Sequence, residues 1–423
     1  MQSAPTPSTR SRATIGFILL SAFVNLMGIG IITPVLPALT GIYTAPQDTV
    51  LVGSLLFTAY SLFQFISVPT LGALSDRFGR RPVLLVCFIG SAIGYLISGI
   101  GGTLFMLFLG RIIDGVTGGN IAAIYAYAAD ITDDKDRTRF FGLLGAFAGF
   151  GFVVGPALGG IVYRLTGELA APFIFSALVT LITVIGIYFY MPESLSPERR
   201  DPRISLSKLN PLVQLVGVFR IASLRLLLIG IFLWMLPFAM LQANLGFLVQ
   251  DQLAWLPDQV SLMFTLIGLV QIVVQGGVIR VLLRRMGEAN VAIAGLLLIC
   301  VGMTLTAITI STRIEPIIFI AIVATACGNA LTIPTTTGLL SRAASMREQG
   351  RVQGGNQSVQ ALARVIGPVY GGWGYSFFGP ALLYLSGAGL TALAAVSVVG
   401  SVRRIAAKRG EQPAVIEEMP PAH

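Results

Sequence analysis

Apolar runs long enough to cross a bilayer follow one another from Thr14 to Val402, and this succession constrains the chain more than any single motif. Hydrocarbon about 30 Å thick needs about 20 apolar residues per helix. Twelve runs fit, at 14–39, 50–74, 81–102, 104–130, 139–163, 171–191, 226–249, 258–283, 290–311, 315–341, 351–378 and 380–402. With 55% hydrophobic and 11% charged residues among 423, the apolar surface exceeds what one or two soluble cores could hide. The expected fold class is an all-α polytopic membrane protein, with twelve transmembrane helices in two six-helix pseudo-symmetric bundles.

The formal charge of +9 would suit a nucleic-acid partner if it were gathered on a soluble domain, and it is not. Of the 28 Lys and Arg, 24 fall on one side of the twelve runs, Arg164 and Arg313 on the other, and Arg111 and Arg364 within runs. That asymmetry predicts both termini in the cytoplasm and excludes nucleic acid. The first run continues past Asn25 to Leu39, longer than a signal-peptide core, and is read as a membrane helix. Cys87, Cys300 and Cys327 lie within runs with no disulfide or metal spacing, and the one histidine is His423. Neither a metal nor another cofactor is expected. The chain shows no pairing of nucleophile and base and no GxxxxGK[ST] loop, so neither an enzyme nor an ATP-driven pump is expected.

The longest polar connection begins at Pro192 and divides the runs six and six. The expected organisation is a cytoplasmic tail at 1–13, a six-helix bundle at 14–191, a cytoplasmic linker at 192–225, a second bundle at 226–402 and a cytoplasmic tail at 403–423. Internal repetition supports the division. GFVVGPALGG at 151–160 is echoed by ARVIGPVYGG at 363–372, placing Gly155-Pro156 and Gly367-Pro368 at matching positions, and DRFGR at 76–80 has a weaker counterpart in RRMGE at 284–288. Proline with clustered glycine loosens a helix and permits close contact, so these segments are candidates for bending as well as for packing.

Charge inside hydrocarbon costs about 2.5–3.5 kcal/mol per group on insertion scales and marks function by default. Arg111 and Asp114, spaced i,i+3, share one helix face within pairing reach, and Arg364 follows Gln357 and Gln360 at helical spacing. Burial favours the neutral form of Asp114 while Arg111 favours the charged form, so Asp114 is a candidate proton carrier; a permanent structural pair is the alternative. Asn25, Gln64, Asn120, Gln242, Asn244 and Asn329 are amides within runs, suited to bridging helices or to touching a substrate. Tyr60, Tyr95, Tyr125 and Tyr127 would line a cavity or face lipid.

The segment GALSDRFGRRP, from Gly72 to Pro82, closely resembles the loop between the second and third helices of the major facilitator superfamily. NLMGIGIITPVLPAL at 25–39, GRIIDGVTGGNIAAIYAYAAD at 110–130 and GFGFVVGPALGG at 149–160 carry the resemblance further, toward the drug/proton antiporters and, in the first half, the tetracycline-efflux group. The resemblance implies a rocking bundle whose first, fourth, seventh and tenth helices line a central cavity. It implies proton coupling through Arg111, and a cytoplasmic gate using Gly72, Asp76, Arg77, Gly79, Arg80 and Asp130. In it Asp76 lies near the start of the eleventh helix and Asp130 pairs with Arg80, while the Gly-Pro segment of the fifth helix is associated with export.

The chain departs from the tetracycline exporters in lacking three acids. Asn25 and Gly94 stand where the first and third helices carry them, and the ninth run has none. Coupling would then rest on Asp114, and a metal-bound tetracycline is a poor fit. The function expected is export of a small amphipathic molecule in exchange for protons, in a bacterial inner membrane and as a monomer, with antibiotic resistance as one outcome. Nutrient symport or facilitated uptake, carriage of an organic anion or lipid by Arg111 and Arg364, and a membrane sensor that does not transport are the alternatives.

Overall fold

The computed structural model describes residues 12–201, 210, 215–216, 218–219, 221, 224–343 and 349–409. The tails at 1–11 and 410–423, parts of the linker and residues 344–348 lie outside the described residues. The rest is helical: α1 (Arg12–Ile32), α2 (Leu36–Tyr43), α3 (Thr49–Phe78), α4 (Arg80–Ile100), α5 (Leu104–Thr117), α6 (Ile121–Ile131), α7 (Asp134–Thr166) and α8 (Ala171–Tyr190) precede the linker. After it come α9 (Arg225–Leu253), α10 (Pro257–Val273), α11 (Ile279–Thr312), α12 (Glu315–Ala343), α13 (Gln349–Phe378) and α14 (Pro380–Arg409).

Ten described segments are long and apolar enough to cross a membrane. One of them, Pro257–Thr312, runs for 56 residues. At 1.5 Å per residue that is about 84 Å, more than twice the hydrocarbon thickness. It contains a π turn at Val274–Val278 and a non-helical residue, Gly287, at φ 74° and ψ 166°. Segment α13 is outside the ten, because Gln353, Asn356, Gln357, Gln360 and Arg364 dilute its apolar character.

Two helices expected to be continuous are interrupted. The first breaks at residues 33–35, where Pro34 has no N–H to give the helical ladder and the Thr33 hydroxyl bonds the Ile29 carbonyl at 2.7 Å. The fourth tightens to a 3₁₀ turn over Gly118–Asn120, between α5 and α6. Paired glycines there have little intrinsic helix preference.

The chain divides into two compact units. The first comprises Met1–Thr49, Ala59–Pro211 and Trp255–Thr265; the second comprises Val50–Thr58, Leu212–Ala254 and Leu266–His423. In the first unit α1 packs on α7 and α8, and α4 packs on α5 and α8. In the second α9 packs on α13 and α14, and α11 packs on α12 and α14. One pairing plan is thus used twice, as the internal repeats lead one to expect. The N-terminal part of α3 belongs to the second unit, where the Ser54 hydroxyl donates to Asn244 Oδ1 at 2.8 Å.

Small residues set these contacts because helices in lipid gain nothing from hydrophobic burial against one another and rely on close backbone approach. A Cβ at Gly155 would stand 2.7 Å from the Met27 carbonyl and 2.9 Å from the Gly30 Cα, so α7 meets α1 backbone to backbone. The equivalent Gly367 holds α13 against α9, with the Leu236 carbonyl 2.8 Å from where its Cβ would be. Both prolines, Pro156 and Pro368, lie within unbroken helices. In this structure the Gly-Pro segments therefore act as packing surfaces.

Gly155→Ala is expected to destabilise the protein by about 1–3 kcal/mol through overpacking. Gly142→Ala, on the same helix with no atom near its would-be Cβ, is the control and should cost nothing. Thermal unfolding in detergent compares the two, and equal midpoints would count against the close-packed α1/α7 contact.

Candidate functional site

The centre of the first unit holds an ion pair within the apolar spans. Arg111 and Asp114 project from one face of α5, and Arg111 Nη2 donates to Asp114 Oδ2 at 2.8 Å. The residues are 5% and 2% exposed. Arg80, Arg111 and Asp114 are the only buried charged residues among the described residues, and Asp114 is the only acid of the three.

Neighbouring helices hold the pair in place. The Arg111 guanidinium lies over the Tyr60 ring, 4.6 Å from its centroid, a cation–π contact that restrains it from the α3 side. Gln64 Nε2 donates to the Tyr60 hydroxyl at 2.9 Å and to the Gly118 carbonyl at 3.1 Å, tying α3 to the 3₁₀ turn. Ser91 and Tyr95, both on α4, line the same cavity as Asp114, and the Ser91 hydroxyl pairs with that of Thr117 at 2.9 Å. Asn25 Nδ2 donates to Asn120 Oδ1 at 2.5 Å, joining α1 to that turn, while Asn120 Nδ2 is buried without a partner. Asn25, Tyr60, Ser91, Tyr95 and Asp114 line one cavity. Of the four tyrosines, Tyr60 and Tyr95 are cavity residues, Tyr127 donates to the Pro192 carbonyl at 2.8 Å, and Tyr125 packs edge-on against Phe141.

Gly94 of α4 faces the acid closely. A Cβ there would be 3.2 Å from the Asp114 Cβ and 2.8 Å from the Gly110 carbonyl. Asp114 therefore packs directly against the α4 backbone at Gly94.

The charged loop at the end of α3 forms a second cluster. Arg80 reaches Asp76 Oδ1 at 2.5 Å, Ser75 Oγ at 2.7 Å and Asp130 Oδ2 at 3.2 Å, so the pairing with Asp130 implied by the resemblance is present. Arg77 stacks on the adjacent Phe78 ring instead of joining the network. The start of the eleventh span, where the resemblance places Asp76, borders residues 344–348, which lie outside the described residues.

Glu193, in the linker, was not singled out from the sequence. Its carboxylate accepts from the backbone N–H groups of Arg80 at 2.8 Å, Arg81 at 3.1 Å and Leu195 at 3.0 Å, capping the N-terminus of α4. A negative group there meets unpaired donors and the positive end of the helix dipole. Ser194 adds a bond to Asp130 at 3.0 Å, so the linker is laced to the loop. Gly79 makes the cap possible: it sits at φ 104°, and a Cβ would collide with the Glu193 carboxylate. Gly72, by contrast, has ordinary room, with Ala122 3.8 Å from its would-be Cβ.

The second unit repeats this corner with its charges exchanged. Gly287 also has a positive φ, 74°, and the residue after it is Glu288 where the first unit has Arg80. Arg342, at the end of α12, stands where the first unit has Asp130, and Arg342 Nε lies 3.0 Å from Glu288 Oε2. Arg342 is mostly exposed, and such a pair adds little stability on its own.

The remaining candidates separate. Asn329 is buried and lines a cavity of the second unit. Asn244 is buried against Ser54. Gln242 is half-buried, Gln357 is exposed, and Arg364 is half-buried with partners of its own. Gln360 donates to Asn356 at 3.3 Å, and Asn356, buried and overlooked in the sequence, is the better-shielded amide of that stripe. Its i−4 spacing from Gln360 was the available signal.

Gly79→Ala should cost about 1–3 kcal/mol, the usual range for a non-glycine residue forced into a sparsely populated backbone region. Glu193→Gln, which keeps the shape and removes the charge, should cost less. Unfolding midpoints of the two variants measured side by side test the order, and a reversed order would contradict the described cap.

Comparison with known proteins agrees with this architecture. The sequence profile of the Major Facilitator Superfamily matches residues 18–288 and 227–419. The class C tetracycline resistance protein of Escherichia coli is 33% identical over 364 residues, covering 85% of this chain and 89% of that protein. The class H protein of Pasteurella multocida is 30% identical over 404 residues, covering 93% and 98%. Among solved structures, the human organic anion transporter MFSD10 (TETRAN) aligns with a TM-score of 0.70 and 26% identity, over 92% of this chain and 100% of that one. With most of its length matched by the family profile, by these relatives and by the fold, the chain belongs to the Major Facilitator Superfamily of membrane transporters and is similar to the tetracycline resistance proteins.

Proposed function

We propose that the protein exports a small amphipathic, drug-like or metabolite molecule in exchange for protons by alternating access, and that Asp114 carries the proton. The observation behind this reading is that Asp114 is a buried acid paired with Arg111 and facing a cavity within the spans that Ser91 and Tyr95 also line. A carboxylate there has two stable forms for opposite reasons. Desolvation favours the protonated acid, and Arg111 favours the anion. Any movement that shifts Arg111 on Tyr60, or admits water to the cavity, tips the balance and moves the proton.

The seat opposite Gly94 supports the same reading. The acid that the resemblance places on the third helix reaches this crossing from the fourth, so the chemistry is kept while the supporting backbone changes. Without carboxylates at 25, at 94 and in the ninth run, the substrate of this chain is metal-free. The resistance activity named for its relatives makes an antibiotic-like compound a reasonable substrate class.

Twelve spans follow if Pro257–Thr312 is divided at Gly287 and α13 is added, giving two six-helix bundles at 14–191 and 226–402. The distribution of Lys and Arg places both termini in the cytoplasm of a bacterial cell with the chain in the inner membrane, and a monomer suffices. The networks at Arg80 and at Glu288 would lie on the cytoplasmic side and act as gates, with Gly155-Pro156 and Gly367-Pro368 as the packed surfaces that rock.

One further reading has a specific observation in its favour, the likeness to a human organic anion transporter. Against it, Arg111 is already neutralised by Asp114, and Arg364 has partners of its own. Loss of transport in Arg364→Lys with proton dependence intact would favour anion carriage.

In proteoliposomes holding a pH-sensitive dye, compound-triggered proton flux should fall at least tenfold in Asp114→Asn. That variant also leaves Arg111 buried and unpaired, at a cost of about 3–5 kcal/mol. Arg111→Gln combined with Asp114→Asn should recover much of the stability and none of the flux. Full proton-driven uptake by Asp114→Asn in inverted vesicles would end the proposal.

A further inference from the structure

The second unit contains a seat built like that of Asp114, with a neutral occupant. Gly94 lies against the Gly110 carbonyl and the Asp114 N–H; Gly302, 208 residues later, lies against the Ala321 carbonyl and the Thr325 N–H, at 2.7 and 2.9 Å from where its Cβ would be. Ala321 and Thr325 each follow Gly110 and Asp114 by 211 residues. Thr325 thus stands where the first unit has its acid.

A cavity opens beside Thr325 as one opens beside Asp114, and its chemistry is different. Phe238, Leu241, Leu245, Ile267 and Ile322 supply its walls. Thr306 and Thr325 also line it, but their hydroxyl protons are committed to the Gly302 carbonyl at 3.0 Å and the Ala321 carbonyl at 2.8 Å. No charged side chain lines it. Asn329, 1% exposed, lines the cavity and has an Oδ1 with no hydrogen-bond partner. Buried polar atoms are almost always paired, so a lone acceptor beside an apolar cavity marks a place for a donor.

We infer that this cavity, resting on the transport reading above, receives the uncharged apolar end of the transported molecule and selects for one N–H or O–H donor through Asn329. It carries no proton, because it holds no titratable group. The substrate class is an amphipathic compound whose apolar part bears a hydrogen-bond donor.

Two monovalent lipophilic cations separate the outcomes: ethidium, whose ring system carries amine N–H donors, and tetraphenylphosphonium, which has no donor. In proteoliposomes under an imposed pH gradient, Asn329→Leu should raise the ratio of the ethidium KM to the tetraphenylphosphonium KM about tenfold, the loss expected for one hydrogen bond in a buried site. The pH profile of transport should not move. Leu241→Trp, which fills the cavity, should raise both KM values. Native transport of both dyes with an unchanged KM ratio in Asn329→Leu would overturn this inference and leave the proton reading standing. Native protein that moves neither dye against the imposed gradient would overturn both.

Discussion

A carboxylate and a guanidinium 2.8 Å apart in an apolar surround form the interaction around which the first unit is organised. Each ion alone would cost several kcal/mol to desolvate, and their mutual contact offsets part of that cost. Tyr60 covers the arginine, and Ser91 and Tyr95 line the cavity beside the acid. Those residues come from α3 and α4, so satisfying the pair fixes how α5 packs on both.

Close backbone contact is the second constraint. Lipid offers no hydrophobic reward for bringing helices together, so the helices that cross tightly do so at glycine, at Gly155 and Gly367 in one pair and at Gly94 and Gly302 in another. These pairs are separated by 212 and 208 residues and occupy matching crossings, so the duplicated sequence is also a duplicated packing plan. Within that shared frame the chemistry has diverged. An acid in the first unit is a threonine in the second, and an Arg–Asp corner is a Glu–Arg corner. Packing positions are held by sterics and tolerate little change, whereas the groups facing a cavity or water are free to differ.

Much of the site was legible from spacing. Arg111 and Asp114 are three residues apart on one helix, so their pairing follows from helical geometry without knowledge of the fold. The Arg80–Asp130 pair, 50 residues apart, was reached only through the family resemblance. The Glu193 cap was missed because its partners, at Arg80 and Arg81, are 113 and 112 residues away, and a carboxylate in a polar linker carries no local sign of capping. Asn244 shows the opposite case. Its type and place within a span suited it to bridging helices or to touching a substrate, and only the structure shows its bond to Ser54, 190 residues distant.

By itself the sequence determined that the chain is a polytopic helical membrane protein, that its plan is duplicated, and that one arginine and one acid lie together within a span. These follow from apolar run length, from repeated motifs and from i,i+3 geometry, all of which are local or periodic properties of a chain. Tertiary structure alone decided that Gly94 abuts the acid, that the linker caps α4, that Tyr60 and Tyr95 face a cavity, and that Asn329 has an unpaired acceptor beside another. Those facts depend on which helices cross and at what depth, and crossings are set by the summed packing of residues far apart in the chain.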